Sequence, residues 1–297
     1  MSISEFLPAP SEPLRLLAVH AHPDDEASKG AATVAMYVDQ GVEVLIVTCT
    51  GGERGDILNP SFELGDRNLT QVRREEMQNS VAVLGVAHRW LGFIDSGYPD
   101  GDPKPPVPED SFAAQPLEVP GKLLVEIVRE FRPHVMTTYD ENGGYPHPDH
   151  IRTHEVAMFA FENAGNADFE SAGSPWTVAK IYYHHSFSQK RIRALHEACL
   201  AQDLPSPYEE WLERFTDPDK TWSRITTQVP VSDYFEIRDQ ALLAHATQID
   251  PAGNWFGVPL EIQKAIWPTE DYELAVTRLA STVVDFPETD LFHGIRS

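Results

Sequence analysis

The sequence predicts an α/β fold: a Rossmann-like, mostly parallel sheet with helices on both faces. Short apolar runs alternate with longer helical segments through residue 186, as they do in parallel sheets. Most of these apolar runs end directly in polar or glycine-rich loops. In such a sheet, ligands bind at the carboxyl ends of the strands, so function is expected in these loops.

Five strands and four helices are predicted in this first part of the chain. The strands are continuous apolar runs, which is typical of strands buried on both faces. They are "LRLLAVHAH", "VEVLIVTCT", "HRWLGF", "HVMTTYD" and "AKIYYHHS". The helices show apolar residues at helical spacing and end at Gly41, Gly85 or Pro133, or lead into a loop. They are "SKGAATVAMYVDQG", "LTQVRREEMQNSVAVLG", "GKLLVEIVREFRP" and "IRTHEVAMFAFENAG".

The remaining segments are predicted to surround this core. Residues 1–13 form a flexible, proline-rich leader, and residues 14–297 form one catalytic domain. The proline-rich stretch 99–120 is predicted to be a long irregular excursion that serves a site. Residues 14–186 supply the sheet core, whereas residues 187–297, with helical runs and one candidate strand in "ITTQVPV", are predicted to be a cap or lid on it.

The composition excludes several classes of protein. The net charge is −23, from 46 acidic and 23 basic side chains, which argues against binding to nucleic acid or to an anionic membrane surface. Two cysteines are too few for a disulfide framework, and no apolar run approaches the ~20 residues of a membrane span. The N-terminus lacks the features of a signal peptide. We therefore expect a cytoplasmic protein.

The segment "LLAVHAHPDDEASKGAA" ends an apolar strand with a run of three carboxylates. Adjacent like charges repel, so a positive partner is expected nearby. His22 and Asp25 are three residues apart, and His150 opens a helix after a second His-Pro-Asp triplet. Two imidazoles and one carboxylate leave a fourth position for water, which is the pattern of a catalytic zinc site. The same donors also suit Fe(II).

Neighbouring residues have the chemistry of a hydrolase. Asp24, if it is not itself a ligand, is placed to take a proton from water as general base. His147 could protonate a leaving amine, with Asp149 orienting it, and Tyr145 could donate a hydrogen bond to a developing oxyanion. Eight further histidines are expected to be structural: His88, His134, His154, His184, His185, His196, His245 and His293.

The glycine loop "GGERG" at residues 51–55 is not a phosphate-binding loop by its spacing. Turn geometry is its default explanation. A contact of Glu53 or Arg54 with substrate is left open as an alternative.

The pair of motifs "AHPDDE" and "HPDH" resembles the LmbE/PIG-L family of zinc-dependent N-deacetylases. The longer segments "VTCTGGERGDILNP", "HATQID" and "WPTEDYELA" are similar to the branch of that family that cleaves mycothiol S-conjugates. The resemblance implies the metal ligands and base already named. It further implies that Lys29, Arg73 and Asp95 contact substrate.

The resemblance implies hydrolysis of the amide between N-acyl-cysteine and glucosaminyl-inositol in mycothiol S-conjugates. A mercapturic acid and an amine sugar would be released, and the sulfur-linked group would need an open pocket. Two alternatives remain at this point. One is deacetylation of the N-acetylglucosaminyl-inositol precursor, and the other is a non-catalytic, metal-stabilised sugar-binding protein. In each case the partners are small molecules.

Overall fold

Five parallel strands form the larger part of one sheet, as predicted. The structure is a computed structural model that describes residues 12–214, 222–279 and 287–296. The strands are β1 Arg15–His20, β2 Glu43–Thr50, β3 Ala87–Phe93, β4 Val135–Thr138 and β5 Lys180–His184. They lie in the order β3-β2-β1-β4-β5, and every neighbouring pair is parallel. Their carboxyl ends therefore meet at one edge, where the polar loops follow.

Helices cover both faces of the sheet because successive strand residues point to opposite sides. In β1, Leu16 and Ala18 face one hydrophobic core, and Leu17 and Val19 face the other. The helices among the described residues are α1 Asp25–Ser28, α2 Ala31–Asp39, α3 Leu69–Leu84, α4 Glu118–Phe131, α5 Pro148–Asn163, α6 Gln189–Leu200, α7 Glu209–Arg214, α8 Phe235–Ala244 and α9 Leu260–Ile266. The α2, α3 and α8 helices contribute to the first core, and α4 and α5 to the second.

The first predicted helix, which was expected from Ser28, begins at Ala31 as α2, and a separate short helix, α1, precedes it across Gly30. This residue has φ +91°, a left-handed conformation that glycine adopts without strain. A Cβ atom built there would lie 2.9 Å from the His184 ring and 2.9 Å from the Tyr272 hydroxyl. The close packing of the loop on β5 explains the break, and it leaves α1 as a short helix beside the sheet edge.

The C-terminal region extends the sheet, so the predicted limit of the sheet at residue 186 is wrong. Strand β7 (Thr269–Thr277) pairs antiparallel with β5, and β6 (Thr227–Pro230) pairs antiparallel with β7. The acidic residues of β7 made the segment look too polar for a strand of the sheet. The fold accommodates them because each has a hydrogen-bonding or charged partner. Glu270 accepts hydrogen bonds from the first amides of α2, and Glu273 pairs with Arg224 at 2.7 Å.

The rest of the C-terminal region packs around this extended sheet. Helices α6 and α9 share a small apolar cluster of their own that includes Leu195 and Ile262. The predicted leader, residues 1–13, lies almost wholly outside the described ranges, which begin at residue 12. The excursion is irregular as predicted, except for a 3₁₀ turn at Phe112–Ala114 and the first residues of α4. No helix in the described ranges is both long and apolar enough to cross a bilayer.

Candidate metal and catalytic site

Three of the loops at the carboxyl edge bring the predicted site residues together. His22 and Asp25 follow β1, Asp95 follows β3, and His150 lies in the first turn of α5, after β4. The potential ligand atoms of His22, Asp25 and His150 all lie within 4.8 Å of one another, and all three residues are buried. Segments that are 125 residues apart in sequence therefore converge on one point, as the paired motifs predicted.

The Asp25 carboxylate is held in place from three sides. Its Oδ2 accepts hydrogen bonds from the Tyr139 hydroxyl (2.7 Å) and from the backbone amide of His22 (3.0 Å). Its Oδ1 accepts from Lys29 Nζ (2.6 Å). Burial raises the pKa of Asp25, but Lys29 and His150 outweigh it and hold that pKa well below the usual range. Asp25 is therefore a fixed, ionised ligand candidate.

The protonation of His150 indicates that a cation belongs beside it. Its Nδ1 lies 2.9 Å from the carbonyl oxygen of Gly143, which can only accept, so Nδ1 carries the proton. Burial lowers the pKa of His150, so the ring is neutral and Nε2 holds a lone pair. That lone pair makes no hydrogen bond in the described structure and lies 3.4 Å from Asp25 Oδ2. Two electron-rich atoms at this distance repel unless a cation lies between them.

The surroundings of His22 support the same conclusion. Three carboxylates lie close to its ring: Asp149 at 3.3 Å, Asp95 at 3.4 Å and Asp25 at 3.5 Å. Burial lowers the pKa of His22, but these carboxylates outweigh it and raise that pKa well above its ordinary value. His22, Asp95 and His147 form a second group that could hold a metal ion. The residues present thus fit a divalent cation, which would relieve the excess of negative charge.

Asp24 has the environment of a general base. Its carboxylate pairs with Arg73 at 3.2 Å and keeps 24% of its side-chain surface exposed to solvent. Its backbone has φ +107°, an uncommon conformation for a residue other than glycine. Burial raises the pKa of Asp24 to about 6, although Arg73 opposes the shift. A carboxylate with a pKa near neutrality can both accept and return a proton.

A buried network that we did not predict holds Asp24 in this conformation. Glu26 Oε2 accepts from the Asp24 backbone amide (3.0 Å), and Glu26 Oε1 accepts from Ser80 (2.5 Å). The His245 ring also lies 2.5 Å from Glu26 Oε1, so this histidine supports the site although it was assigned no functional role. Its position in "HATQID" gave only a weak signal, because its partner is 219 residues away.

Asp149 makes different contacts from those predicted. Its carboxylate accepts from both the backbone and the hydroxyl of Ser96, and it faces His22 instead of orienting His147. The backbone amide of Asp149 donates to His147 Nδ1 (3.1 Å), so the proton of that ring lies on Nε2. The fold explains the difference, because Asp149 is at the buried start of α5, where its side chain turns inward.

The remaining predicted residues lie around this group. Tyr145 is 48% exposed, and its ring centroid lies 4.6 Å from that of His150. The guanidinium of Arg73 donates to the carbonyl oxygens of Gly52 (3.1 Å) and Pro23 (2.8 Å). It thereby fastens the glycine loop to the Asp24 segment.

The contacts of Glu53 and Arg54 are also internal ones. Glu53 accepts from the backbone amides of Gly51 (3.2 Å) and Asp95 (3.0 Å), and Arg54 pairs with Asp110 at 2.9 Å. Turn geometry and loop docking therefore account for residues 51–55.

Replacing Tyr139 with Phe tests the support of Asp25. The hydroxyl accepts from the backbone amide of Ala21 (2.8 Å) and donates to Asp25, so its loss removes one hydrogen bond to the ligand candidate and leaves the Ala21 amide without its acceptor. We expect metal affinity to fall by about 10- to 100-fold, the usual effect of removing such a hydrogen bond. Competition with a fluorescent chelator measures it. Tyr234→Phe, whose hydroxyl bonds Asp39 at the surface, is the control, and an equal effect in both variants would contradict the assignment.

The fold and this site together define a family of proteins. A family model described as GlcNAc-PI de-N-acetylase (PIG-L) matches residues 17–161, which include every predicted site residue. Full-length relatives of the same kind, described below, cover nearly the whole chain. The chain belongs to the PIG-L family, as the two His-Pro-Asp motifs predicted.

Individual relatives extend the similarity to the C-terminal region. The chain is 54% identical over 293 residues to the mycothiol S-conjugate amidase of Streptomyces coelicolor, which covers 96% of this chain and 99% of that protein. It is 35% identical to the 1D-myo-inositol 2-acetamido-2-deoxy-alpha-D-glucopyranoside deacetylase of Streptomyces avermitilis, over 95% of this chain and 97% of the other. Both relatives match the region of β6 and β7 as well as the motifs.

Solved structures share the fold at much lower identity. The N,N'-diacetylchitobiose deacetylase of Pyrococcus horikoshii superposes with a TM-score of 0.60 at 20% identity, covering 89% of this chain and 84% of that chain. The 4-carboxy-2-hydroxymuconate hydratase of Pseudomonas putida gives a TM-score of 0.56 at 16% identity, covering 91% and 100%. Proteins described as a deacetylase and as a hydratase share this architecture, so function must be argued from the site.

Proposed function

We propose that this chain is a cytoplasmic, zinc-dependent amidase that hydrolyses mycothiol S-conjugates. The bond cleaved is the amide between N-acyl-cysteine and glucosaminyl-inositol, and the products are a mercapturic acid and glucosaminyl-inositol. The observation that carries the reaction class is the buried group His22–Asp25–His150 beside the ionisable Asp24. The choice of substrate is supported by the 54% identity to the Streptomyces coelicolor amidase.

The proposed metal is Zn²⁺, with Fe²⁺ as the alternative. Two imidazole nitrogens and one carboxylate oxygen with an open fourth position are the donor set of many catalytic zinc sites, and the same donors accept Fe²⁺. A divalent cation held by His22, Asp25 and His150 would polarise the amide carbonyl and acidify water at the site.

Asp24 is the proposed proton carrier. Its partial exposure lets water reach the carboxylate, and a pKa of about 6 leaves it ionised at neutral pH. It can take a proton from the attacking water and then deliver that proton to the departing amine. Arg73 and Glu26 act through Asp24 as positioning residues, since one pairs with its carboxylate and the other holds its strained backbone.

His147 is proposed to donate a hydrogen bond instead of acting as the general acid suggested by the sequence. Burial and the neighbouring His22 and His150 lower the pKa of His147 to about 3, so the ring is neutral at pH 7. A neutral imidazole is a very weak acid, but its Nε2–H can stabilise an oxygen that gains negative charge. The Tyr145 hydroxyl is the second proposed donor.

The polar half of the substrate is proposed to lie near Lys29, Arg73 and Asp95, as the family resemblance implies. Lys29 Nζ bridges Asp25 and Ser28, with 14% of its side chain exposed, and is therefore next to the metal group. Asp95 lies on the opposite side of His22. These charged groups suit a ligand rich in hydroxyl and amide groups.

A direct comparison of two substrates tests the proposal. The zinc-loaded protein would be assayed with the bimane S-conjugate of mycothiol and with N-acetylglucosaminyl-inositol. We expect kcat/KM for the conjugate to exceed that for the precursor by roughly 100-fold or more, because a site that binds the larger acyl half gains transition-state contacts from it. The reverse ranking would assign the chain to deacetylation of the precursor. Binding without turnover of either compound would assign it to the sugar-binding class.

A further inference from the structure

A cavity of about 300 Å³ lies beside the metal group, between α1 and the C-terminal helices. Ala27 and Ser28 of α1 form one wall, and Ser186, which follows β5, forms another. The remaining lining residues belong to segments between Phe187 and Glu270. Among the described residues, none from the 99–120 excursion lines this cavity. The cavity is therefore formed mainly by residues of the C-terminal region.

The cavity and the metal group share one short helix. Asp25 is the first residue of α1, and Ser28 is its last. Lys29 Nζ donates to Asp25 Oδ1 (2.6 Å) and to Ser28 Oγ (3.1 Å), so a single ammonium group joins the ligand candidate to the cavity wall. The cavity wall therefore begins within one turn of α1 from the ligand candidate Asp25.

Three aromatic rings stand together at the cavity, each partly exposed. Phe187, Trp211 and Trp255 are 38%, 39% and 38% exposed. The ring centroid of Phe187 lies 5.6 Å from that of Trp211 and 5.5 Å from that of Trp255. Large apolar side chains that remain exposed as a group mark a binding surface, and flat rings favour stacking with other flat groups.

Two arginines, Arg191 and Arg238, and one carboxylate, Glu270, line the cavity, although the chain as a whole has a net charge of −23. The Glu270 carboxylate accepts hydrogen bonds from the first amides of α2. Arg238 is paired with Asp239 at 2.7 Å, whereas Arg191 donates to the backbone oxygen of Ser186 (2.8 Å). In the described ranges no carboxylate forms an ion pair with Arg191. Burial, together with Arg238, lowers the pKa of Arg191. A guanidinium that meets no carboxylate partner among the described residues favours a ligand that brings an acceptor.

We propose that this cavity holds the sulfur-linked group of a mycothiol S-conjugate, and that it prefers flat apolar groups that carry an acceptor oxygen or a negative charge. The inference rests on the proposed function and adds the location and chemical preference of the variable half of the substrate. The rings of Phe187, Trp211 and Trp255 contact the apolar body, and Arg191 binds the acceptor.

Two conjugates that differ only in the sulfur-linked group test this proposal. The S-bimane conjugate carries a flat bicycle with carbonyl oxygens, and the S-methyl conjugate is too small to reach the rings. In the zinc-loaded full chain, we expect Arg191→Met and Trp255→Ala each to lower kcat/KM for the bimane conjugate by about tenfold. The S-methyl conjugate should change by less than about twofold. Arg193→Met, the same substitution at an exposed position of α6, should alter neither.

The outcomes separate this inference from the proposed function. Equal losses with both conjugates, or no loss with either, in variants that keep wild-type circular dichroism and zinc content would overturn the cavity assignment and leave the amidase intact. If Arg191→Met does not fold, Trp255→Ala still decides, because its side chain is partly exposed on a 3₁₀ turn. A wild-type protein that cleaves neither conjugate would overturn the proposed function, and this inference with it.

Discussion

Replacing Asp24 with Asn is expected to lower kcat by about 10²- to 10⁴-fold while zinc content stays at the wild-type level. Asn keeps the size and the hydrogen-bonding shape of the side chain but cannot take a proton. It also tolerates the positive φ of this position, so the backbone held by Glu26 should survive the change. Steady-state kinetics and metal analysis on the same preparation measure the two effects separately.

The pH profile provides a second readout of Asp24. The carboxylate must be ionised to act as base, so wild-type kcat/KM should rise with pH through a value at or below about 6 and then level off. In Asp24→Asn this acid limb should disappear. Asp66→Asn, at an exposed position, is the matched control and should keep both the rate and the limb. Near-normal turnover in Asp24→Asn would assign the proton transfer to another group.

Replacing His150 with Ala is expected to abolish both metal binding and turnover. Only two of the three proposed ligands would remain, and the Asp25 carboxylate would lose its nearest imidazole on α5. We expect bound zinc after gel filtration to fall below about a tenth of an equivalent per chain, with a loss of activity of at least about 100-fold. Inductively coupled plasma mass spectrometry measures the metal.

Two comparisons sharpen this test. His196→Ala removes an imidazole of α6 that bonds Ser206 away from the site, and it should retain a full equivalent of zinc. Asp95→Asn separates the two possible ligand groups, because Asp95 belongs only to the group with His22 and His147. Stoichiometric zinc in His150→Ala, combined with its loss in Asp95→Asn, would move the metal to that second group.

The sequence predicted the central fold because its signals are local. A continuous apolar run such as "VEVLIVTCT" predicts a buried strand without information from any other segment. Gly85 predicts the end of a helix in the same local way. Strand β7 was missed because "TEDYELAVT" carries three acidic residues, and their partners Arg224, His185 and the amides of α2 are distant in sequence. Whether such a charged segment forms a strand of the sheet depends on contacts with residues far away in the sequence, so it cannot be predicted from the segment alone.

The site likewise has some features that local sequence predicts and others that depend on distant contacts. The ligand candidates were predictable because both motifs place chemically suitable residues directly after strands. The support for Asp24 was not, since Glu26 meets Ser80 and His245 only after the C-terminal helix α8 has packed against α3. The orientation of Asp149 was also unpredictable, because it depends on Ser96, which belongs to a different loop.

The position of β7 between β5 and β6 has a consequence during synthesis on the ribosome. β5, whose residues are all buried in the folded protein, is synthesised long before residues 269–277. One of its edges therefore has no hydrogen-bonding partner while the intervening chain is being made. Unpaired strand edges recruit other chains, and nascent intermediates of this kind aggregate readily. Premature termination between β5 and β7 should therefore yield insoluble fragments, and chaperone dependence should be greatest over that interval of translation.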